Sequence, residues 1–483
     1  MEAPLIAQRV ALQRNSPRPL SRQLYEQLKA LILAGALPAE SRLPPSRALA
    51  AALHVSRNTA VEALAQLHAE GYTWTNRRGG TRVVAVDRPK VQVSAQQAAM
   101  TARLSERGRL LSLARIRSAG NDLAAFAQGI PDIAAFPHSL FARLLARAAR
   151  HGGSKTALSD AFHGLPKLRE TLAQYLVDVR GLRCEADQII VVPGAQAGLD
   201  LMARLLIDEG DVVWLEDPCY RGAVTAFTGA GATLVPLPVD SEGMSLPDET
   251  TPAPRLISVT PSHQYPLGTV TSLARRLALL EAARRHSAFV LEDDYDSEFR
   301  FDGQPIAALQ GLDDSARVIY VGSFAKTMLP SLRAGYLVLP PSLVEPARRA
   351  QRTVSASLSV VVQAAIADFM DEGHYRAHVR RMRHIYENRR QQLAQQLSIA
   401  LAGVDFTMSG AGMQIVLHLP ADMPDEAVAN RAAEAKIDVF PLSGLSLKRR
   451  DLNGLLLGFG NVPDAAIAAS ARSLGNIARA FLQ

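Results

Sequence analysis

The sequence predicts an α/β protein that carries a separate, mostly helical domain at its N-terminus. Its 483 residues are more than one compact core usually holds, so two or more domains are expected. After residue 122, short β-rich runs alternate with longer helical patterns, which is typical of βαβ units and a mostly parallel sheet. Before residue 87, apolar residues recur at helical spacing and a Gly-rich hairpin signal follows. We therefore expect domains at 1–86 and 122–483, joined by a polar, basic linker at 87–121.

The composition is that of a folded protein outside the membrane. Hydrophobic residues make up 48% and charged residues 20% of the chain, and no apolar run is long enough to span a bilayer. The first residues lack the apolar core and cleavage site of a signal peptide. Cys184 and Cys219 show no repeated spacing, which argues against a disulfide scaffold or a zinc site. We expect a cytoplasmic protein without a bound metal.

The positive charge is concentrated at one end of the chain. Residues 1–90 hold 13 Lys and Arg against 6 Asp and Glu, whereas the remaining residues hold 40 of each. The whole formal excess of +7 therefore lies in the first ninety residues. A basic end on a neutral body favours a polyanionic partner for that end, although charged surfaces are more often simply solvated.

The N-terminal domain has the pattern of a helix-turn-helix. The first helix has leucines at helical spacing and ends at Gly35. Ser46 is expected to cap a second helix, and Ser56 a third that runs to Gly71. Two short helices joined by a tight turn form this motif, and the second places its first residues against base edges.

The residues at the start of that third helix are of types that bind DNA. Arginine pairs with guanine, and Asn or Thr binds bases or phosphates. A basic hairpin tip follows the helix and forms a wing that reaches the DNA backbone or a minor groove. The alternative is a three-helix packing module with an ordinary charged surface. The predicted DNA-binding residues are Arg47, Ser56, Arg57, Asn58, Thr59, Arg77 and Gly80.

The order of these parts resembles the GntR family. The matching stretches are PLSRQLYEQLKALILAGAL, RLPPSRALAAALHVSRNTAVEALAQLHAEGY and GGTRV. The resemblance implies a winged helix-turn-helix in which Arg47 and Arg57 contact DNA.

The second domain is expected to contain a mostly parallel sheet and a smaller C-terminal α+β subdomain. The subdomain starts near Ser342 with helices and ends in apolar strands. The predicted strands are 188–192, 211–215, 255–260, 288–292, 318–322, 412–419 and 454–459.

Lys326 follows one of these strands, behind a Gly-Ser turn, where its amine can face a pocket. Lysine amines form Schiff bases with aldehydes, and desolvation lowers the lysine pKa enough to help this reaction. A lysine alone in such a place is more often solvated. The other candidate residues of the same domain, taken together with this lysine, are what indicate a cofactor.

Asp293 and Tyr295 stand at the end of another strand. An electron-sink cofactor needs an anion beside its pyridine nitrogen. Asp293 is the candidate for this anion, and Tyr295 is the candidate that holds the phenolic oxygen of the ring. A helix cap or a solvated loop is the structural alternative for such a carboxylate. Tyr220 is placed to stack on the cofactor ring, and core packing is nearly as good an explanation of it.

A phosphate site is predicted from a strand-to-helix turn. The turn at Gly194, Ala195 and Gln196 offers backbone amides at a helix start, and Arg333 offers a guanidinium.

Together these motifs resemble the fold-type I aminotransferases over most of residues 122–483. Several sequence motifs resemble those of the MocR branch of the GntR regulators, namely EDPCY, TPSHQYPLG, LEDDYDSEFRF and GSFAKTMLPSLRAGYLVLP. The resemblance implies that pyridoxal 5'-phosphate forms a Schiff base with Lys326, that Asp293 faces its pyridine nitrogen and Tyr295 its phenolic oxygen, and that Ser323, Arg333 and the 194–196 turn hold its phosphate. It also implies a head-to-tail homodimer.

Four positions depart from the aminotransferase pattern. Ala325 precedes the lysine, where Ser or Thr is common, and Ser159 aligns with a phosphate-binding tyrosine. Tyr265 replaces the asparagine of the Asn-Pro-x-Gly turn. Gly444 stands where relatives grip a substrate carboxylate with arginine, and Lys448, Arg449 and Arg450 follow it.

Three functions are compatible with these features. The first is a transcription regulator that binds an operator in double-stranded DNA and senses pyridoxal phosphate or an amine or amino-acid-like effector. The second is an active aminotransferase that carries a DNA-binding domain. The third, a DNA-binding protein with a cofactor-free scaffold, is disfavoured because Lys326, Asp293, Tyr295 and Arg333 are retained together. We expect the first, with any aminotransferase-type chemistry secondary to it.

Overall fold

The computed structural model describes residues 3–76, 80–85, 104–112, 124–157, 161–303, 306–354 and 357–481. The chain forms two compact units, Met1–Arg103 and Leu104–Gln483. Within the described ranges, no helix combines the length and the apolar character needed to cross a membrane.

The first unit is a helical bundle closed by a two-stranded hairpin. Its core is formed by apolar side chains at helical spacing, among them Leu24, Leu28, Leu49 and Leu67, which are almost fully buried. The elements are α1 (Ala3–Ala7), α2 (Leu20–Leu33), α3 (Ser46–Ala52), α4 (Arg57–Ala69), β1 (Thr73–Asn76) and β2 (Gly80–Val83), and the two strands are antiparallel.

One predicted cap is wrong. Ser46 is the first residue of α3, and Pro45 takes the N-cap position with φ −58° and ψ 148°. The proline ring fixes φ near −65°, and Pro45 with its extended ψ takes the cap position, so the helix begins one residue earlier than a cap at Ser46 would require. The cap at Ser56 is confirmed, because its hydroxyl accepts a hydrogen bond from Thr59 N at 3.1 Å.

The second unit is built around an eight-stranded sheet. The sheet order is β3-β10-β9-β8-β7-β4-β5-β6, and the pairs β9–β8, β8–β7, β7–β4 and β4–β5 are parallel. Its elements are α5 (Glu106–Ser112), α6 (His138–Ala157), α7 (Pro166–Arg180), β3 (Ile189–Val192), α8 (Ala195–Leu206), β4 (Val212–Asp217), α9 (Arg221–Ala230), β5 (Thr233–Asp240), β6 (Gly243–Met244), β7 (Leu256–Val259), α10 (Leu273–Arg285), β8 (Phe289–Asp294), β9 (Val318–Ser323) and β10 (Gly335–Val338).

The parallel strands explain where the site lies. Their carboxyl ends meet at one edge of the sheet, which is where open α/β sheets bind ligands. Asp217, Asp294 and Ser323 end three of these strands. Apolar clusters fill both faces of the sheet, so these polar ends are held on a rigid base.

The C-terminal part is the expected α+β subdomain. Its four-stranded antiparallel sheet has the order β11-β12-β14-β13 and packs on the long helix α13. The elements are α11 (Pro341–Val354), α12 (Val360–Asp371), α13 (His374–Ala400), β11 (Phe406–Thr407), β12 (Gln414–His418), α14 (Asp425–Glu434), β13 (Phe440–Pro441), β14 (Gly454–Gly458) and α15 (Asp464–Arg479).

The described part of the predicted linker, residues 104–112, contains the helix α5. Within the range 87–121, α5 packs on α9, and Arg107 forms an ion pair with Glu209. This helix therefore belongs to the second unit.

Candidate cofactor site and DNA-reading surface

Helix α4 presents polar residues at its start. Arg57 and Asn58 are exposed, Thr59 is half-buried, and Ser56 closes the first turn. Arg47 is exposed in the first turn of α3. The first unit thus places four of the five predicted helix residues, at positions 56–59, at the start of the second helix of the motif, where a major-groove reader needs them, and Arg47 at the start of the first helix.

Arg42, an arginine that the sequence pattern did not single out, packs its side chain against the hairpin. Arg77 lies outside the described residues, and Gly80 opens β2 with φ +74°. A Cβ at Gly80 would lie 2.8 Å from Arg42 Nε, so the glycine leaves room for that guanidinium. Arg82 donates to the carbonyl of Glu40 at 2.6 Å and ties the hairpin to the turn before α3.

Lys326 follows β9 in a loop, and its amine is directed into the second unit. Its Nζ donates a hydrogen bond to Gly129 O at 2.7 Å. Gly129 has φ +68°, and a Cβ there would run into the lysine amine, so only glycine permits this approach. Burial lowers the pKa of Lys326, although Asp296 and Asp293 oppose the effect. A buried amine with a lowered pKa is a better nucleophile at neutral pH.

Asp293 lies on β8 beside Lys326, and one of its oxygens is unsatisfied. Oδ1 is buried and has no hydrogen-bond partner among the residues that the structure describes. Burial, together with Asp294 and Glu216, raises the pKa of this carboxyl to about 7, while the charge of Lys326 lowers it. An orphaned carboxylate oxygen is costly, so a protonated ring nitrogen placed against it would be favoured. The residues present therefore fit pyridoxal phosphate.

Tyr295 lies two residues further on and contacts a buried histidine. Its hydroxyl is 2.9 Å from His263 Nδ1, and the same nitrogen is 3.0 Å from Asp296 Oδ1. Burial raises the pKa of Tyr295 well above its usual value, so the phenol keeps its proton at neutral pH.

The predicted phosphate residues converge around Gly335 on β10. A Cβ at Gly335 would lie 2.9 Å from Gly194 C and 3.0 Å from Ala195 N, so its absence brings the α8 turn against β10. Gly335 is paired with Ser323 on β9, and Arg333 precedes it by two residues in a left-handed conformation, φ +47°. Helix α8 begins at Ala195, so its amino end opens onto this corner.

Two predicted ligands are engaged elsewhere. The Gln196 amide donates to Gly222 O at 3.0 Å, which directs its side chain towards α9 and leaves its backbone for the phosphate. Ser323 Oγ accepts from Ala325 N at 3.1 Å and retains its own proton for a second partner.

Tyr220 belongs to a row of three aromatic rings. It is 40% exposed, and its ring meets Tyr265 edge-on with centroids 6.0 Å apart. Tyr265 meets Tyr295 in the same way at 5.7 Å. The Tyr265 hydroxyl also donates to Gln128 Oε1 at 3.0 Å. Tyr265, in place of the aminotransferase asparagine, therefore links the site to the segment that carries Gln128 and Gly129.

Gly444, which the resemblance places near an arginine position of the aminotransferases, has room for a Cβ at ordinary van der Waals distance. It lies in the turn Leu442–Leu445, and a Cβ there would find its nearest neighbours, Phe440 and Pro441, at 3.8 Å. The guanidinium of Arg449 is paired with Asp451, with Nε 3.0 Å from Oδ1. Ser159, the other aligned departure, lies outside the described residues.

Sequence reasoning missed Gly129, Gln128, His263 and Asp296. Gly129 contacts a lysine 197 residues away, and His263 an aspartate 33 residues away, so local periodicity carries no trace of either contact. A histidine inside the TPSHQYPLG stretch and an aspartate inside LEDDYDSEFRF were the only signals.

Known families match both units. Residues 20–83 match the bacterial regulatory proteins of the gntR family, and residues 126–451 match the aminotransferases of class I and II. The "Probable rhizopine catabolism regulatory protein MocR" of Rhizobium meliloti is 43% identical over 96% of this chain and 95% of its own length. The pyridoxine biosynthesis regulator PdxR of Corynebacterium glutamicum is 30% identical over 94% of each chain.

A solved structure shares the fold of the second unit. LysN, the α-aminoadipate aminotransferase of Thermus thermophilus, was crystallised with N-(5'-phosphopyridoxyl)-L-leucine. It superposes with a TM-score of 0.71 and 26% identity over 81% of this chain and 99% of LysN. The predicted fold-type I architecture is confirmed.

Proposed function

Because this chain belongs to the MocR branch of the GntR regulators, we propose that it is a transcription regulator that binds pyridoxal phosphate through Lys326. Its winged helix-turn-helix binds an operator in double-stranded DNA through Arg47 and residues 56–59, with Arg77 and Gly80 at the wing. The second unit senses the cofactor itself or an amine that reacts with it.

The observation that carries this proposal is the buried, unsatisfied Oδ1 of Asp293 beside the buried amine of Lys326. In the proposed site Lys326 anchors the cofactor, Asp293 accepts from its ring nitrogen, Tyr295 faces its phenolic oxygen and Tyr220 covers its ring. Gly194, Ala195, Gln196, Ser323 and Arg333 hold the phosphate. When bound, pyridoxal phosphate supplies an aldehyde that exchanges amines and a ring that withdraws electrons.

The effector class follows from Gly444. The resemblance implies an arginine near this position in relatives that recognise amino acids, and this chain has a glycine, which offers no guanidinium. We therefore expect amines without a carboxylate to act better than α- or ω-amino acids. The names of two relatives add rhizopine and pyridoxine to the candidates.

A head-to-tail homodimer in the cytoplasm completes the proposal. A two-fold symmetric dimer suits a DNA site made of two half-sites. The retained lysine and aspartate and the likeness to LysN support aminotransferase activity as a second candidate, which a transamination assay with the same amines would reveal.

The test is the visible absorbance of the purified protein with added pyridoxal phosphate. We expect a band that borohydride reduction removes, with the label on Lys326. Lys326→Ala should lose the band and keep its circular dichroism. Lys167→Ala is the matched control, because Lys167 is an ion-paired lysine on α7. If Lys326→Ala keeps the wild-type band, the assignment of the lysine is wrong.

A further inference from the structure

His263 and Asp296 form a buried pair directly beside Tyr295. Their side chains are 2% and 3% exposed, and His263 Nδ1 lies 3.0 Å from Asp296 Oδ1. The same nitrogen lies 2.9 Å from the Tyr295 hydroxyl. One ring nitrogen is therefore shared between a carboxylate and a phenol. Neither residue has a place in the site as proposed so far.

The imidazole packs closely against two glycines. A Cβ at Gly268 would lie 3.2 Å from His263 Nε2, and one at Gly412 would lie 2.7 Å from His263 Nδ1 and 2.8 Å from Asp296 Oδ2. His263 Nε2 is buried without a hydrogen-bond partner among the described residues. The ring is thus packed in place, with only its Nδ1 edge engaged.

This arrangement selects one tautomer of the histidine. A proton on Nε2 would be buried without an acceptor, and a bare Nδ1 would then face the Asp296 carboxylate, lone pair against negative charge. A proton on Nδ1 removes both penalties, because it is donated to Asp296 and lies within reach of the Tyr295 oxygen. His263 is then a donor on this edge and does not accept the phenol proton.

The consequence falls on Tyr295. Its hydroxyl proton is not taken by His263, so it is free to be donated to another acceptor. A donor aimed at the phenol oxygen also polarises the O–H bond and strengthens the donation. The other groups that bear on this phenol are Asp293 and Asp296 on its own segment, Tyr265 and, from β4, Glu216.

We propose, on the basis of the proposed function, that His263 and Asp296 are positioning residues that keep the Tyr295 proton available for the phenolic oxygen of pyridoxal phosphate. Asp296 fixes the tautomer, His263 orients the phenol, and Tyr295 alone touches the cofactor. The pair thereby sets the proton affinity of the bound cofactor.

The experiment is a pH titration of the visible band in the cofactor-loaded full chain. Donation to the phenolic oxygen favours its anionic form, so losing it raises the pH midpoint of the band. We expect Tyr295→Phe and His263→Gln to raise the midpoint by about one pH unit, a tenfold change in proton affinity. His263→Asn should keep the wild-type midpoint, because the asparagine amide nitrogen takes the place of Nδ1. The longer glutamine side chain places its amide nitrogen elsewhere.

A double-variant cycle shows whether the pair acts through the tyrosine. If it does, His263→Gln adds nothing in a Tyr295→Phe background. Asp296→Asn, whose amide can donate to Nδ1 and reverse the tautomer, should shift the midpoint in the same direction. Asp464→Asn, which removes a carboxylate paired with Arg389, should leave it unchanged.

The outcomes separate this proposal from the one on which it depends. An equal shift by His263→Gln with and without Tyr295, or no shift at all, overturns the positioning role while the wild-type band stands. A wild-type protein without a band overturns both. If His263→Gln fails to fold by circular dichroism, the Asp296→Asn and Tyr295→Phe cycle decides, and additive shifts there refute the proposal.

Discussion

Gly129 shows how one residue without a side chain controls access to the lysine. Its left-handed backbone and its missing Cβ let the Lys326 amine reach the Gly129 carbonyl at 2.7 Å. A methyl group there must displace the amine from the position where the cofactor is expected. The chemistry at Lys326 therefore depends on a glycine nearly two hundred residues earlier.

We expect Gly129→Ala to weaken pyridoxal phosphate binding by about tenfold or more, since a displaced amine loses at least one hydrogen bond, about 1 kcal/mol, besides its geometry. Fluorescence titration with the cofactor measures the change. Gly403→Ala is the matched control, because Gly403 has φ +86° and open space around it, so it carries the same backbone strain without a clash. Equal losses in the two variants would mean that strain alone matters.

In the proposed site, the carboxyl of Asp293 should make cofactor binding sensitive to acid. Burial raises its pKa to about 7, so it takes up a proton as the pH falls through 7 and then no longer accepts from a protonated ring nitrogen. Cofactor affinity should fall several-fold between about pH 8 and about pH 6. Acid also protonates Lys326, which acts in the same direction.

Asp293→Asn isolates the contribution of the carboxyl. The variant should bind more weakly at pH 8 and show a flatter pH dependence, because the carboxyl at position 293 no longer titrates. Isothermal calorimetry at several pH values gives both slopes. Identical slopes in wild type and variant would contradict the role of Asp293.

At the scale of elements, the start of helix α4 serves both folding and DNA reading. Ser56 stabilises the helix by accepting from Thr59 N, whereas Arg57 is exposed beside it. Ser56→Ala should cost about 1 kcal/mol of stability in chemical denaturation. Because Ser56 is also one of the proposed DNA contacts, DNA affinity should fall by more than that loss explains.

Arg57→Ala should weaken DNA binding without a cost in stability. We expect an unchanged denaturation midpoint and a loss of about 1–3 kcal/mol in binding a duplex that the wild type selects from a random pool. Arg431→Ala, an exposed arginine on α14 paired with Glu434, is the control and should change neither. DNA affinity insensitive to Arg57 would place the reading surface elsewhere.

The strands were predictable because buried parallel strands are short apolar runs between turn signals. The run 255–260 became β7 at Leu256–Val259, and 318–322 became β9 at Val318–Ser323. The cap at Ser46 failed because backbone restriction by Pro45 outweighs the preference of a serine hydroxyl. The site residues named from motifs sit at strand ends, whereas His263 and Asp296 needed the fold to meet.

At the scale of the whole molecule, DNA and cofactor must influence each other equally. If pyridoxal phosphate changes DNA affinity, linkage requires DNA to change cofactor affinity by the same factor, typically 5–150-fold for coupled sites. We expect such a factor in the full chain, measured once by DNA titration with and without cofactor and once in reverse. Lys326→Ala should abolish it. A factor of one in both directions would leave the second unit without a regulatory role.

The excess positive charge lies wholly in the first ninety residues, so the salt dependence of DNA binding should belong to that unit. This much was visible in the sequence. The coupling between DNA and cofactor was not, because it depends on an equilibrium between states that no pattern of residues displays.

The strand order of the large sheet also has a consequence for how the chain is made. Strand β3 is among the first strands to leave the ribosome, yet β10 is its partner in the sheet, and β10 follows about 140 residues later. At translation rates of about 5–20 residues per second, β3 waits on the order of ten seconds without a strand partner. The phosphate corner around Gly335 closes only when β10 arrives, so a nascent chain gains its cofactor site late and needs protection from aggregation until then.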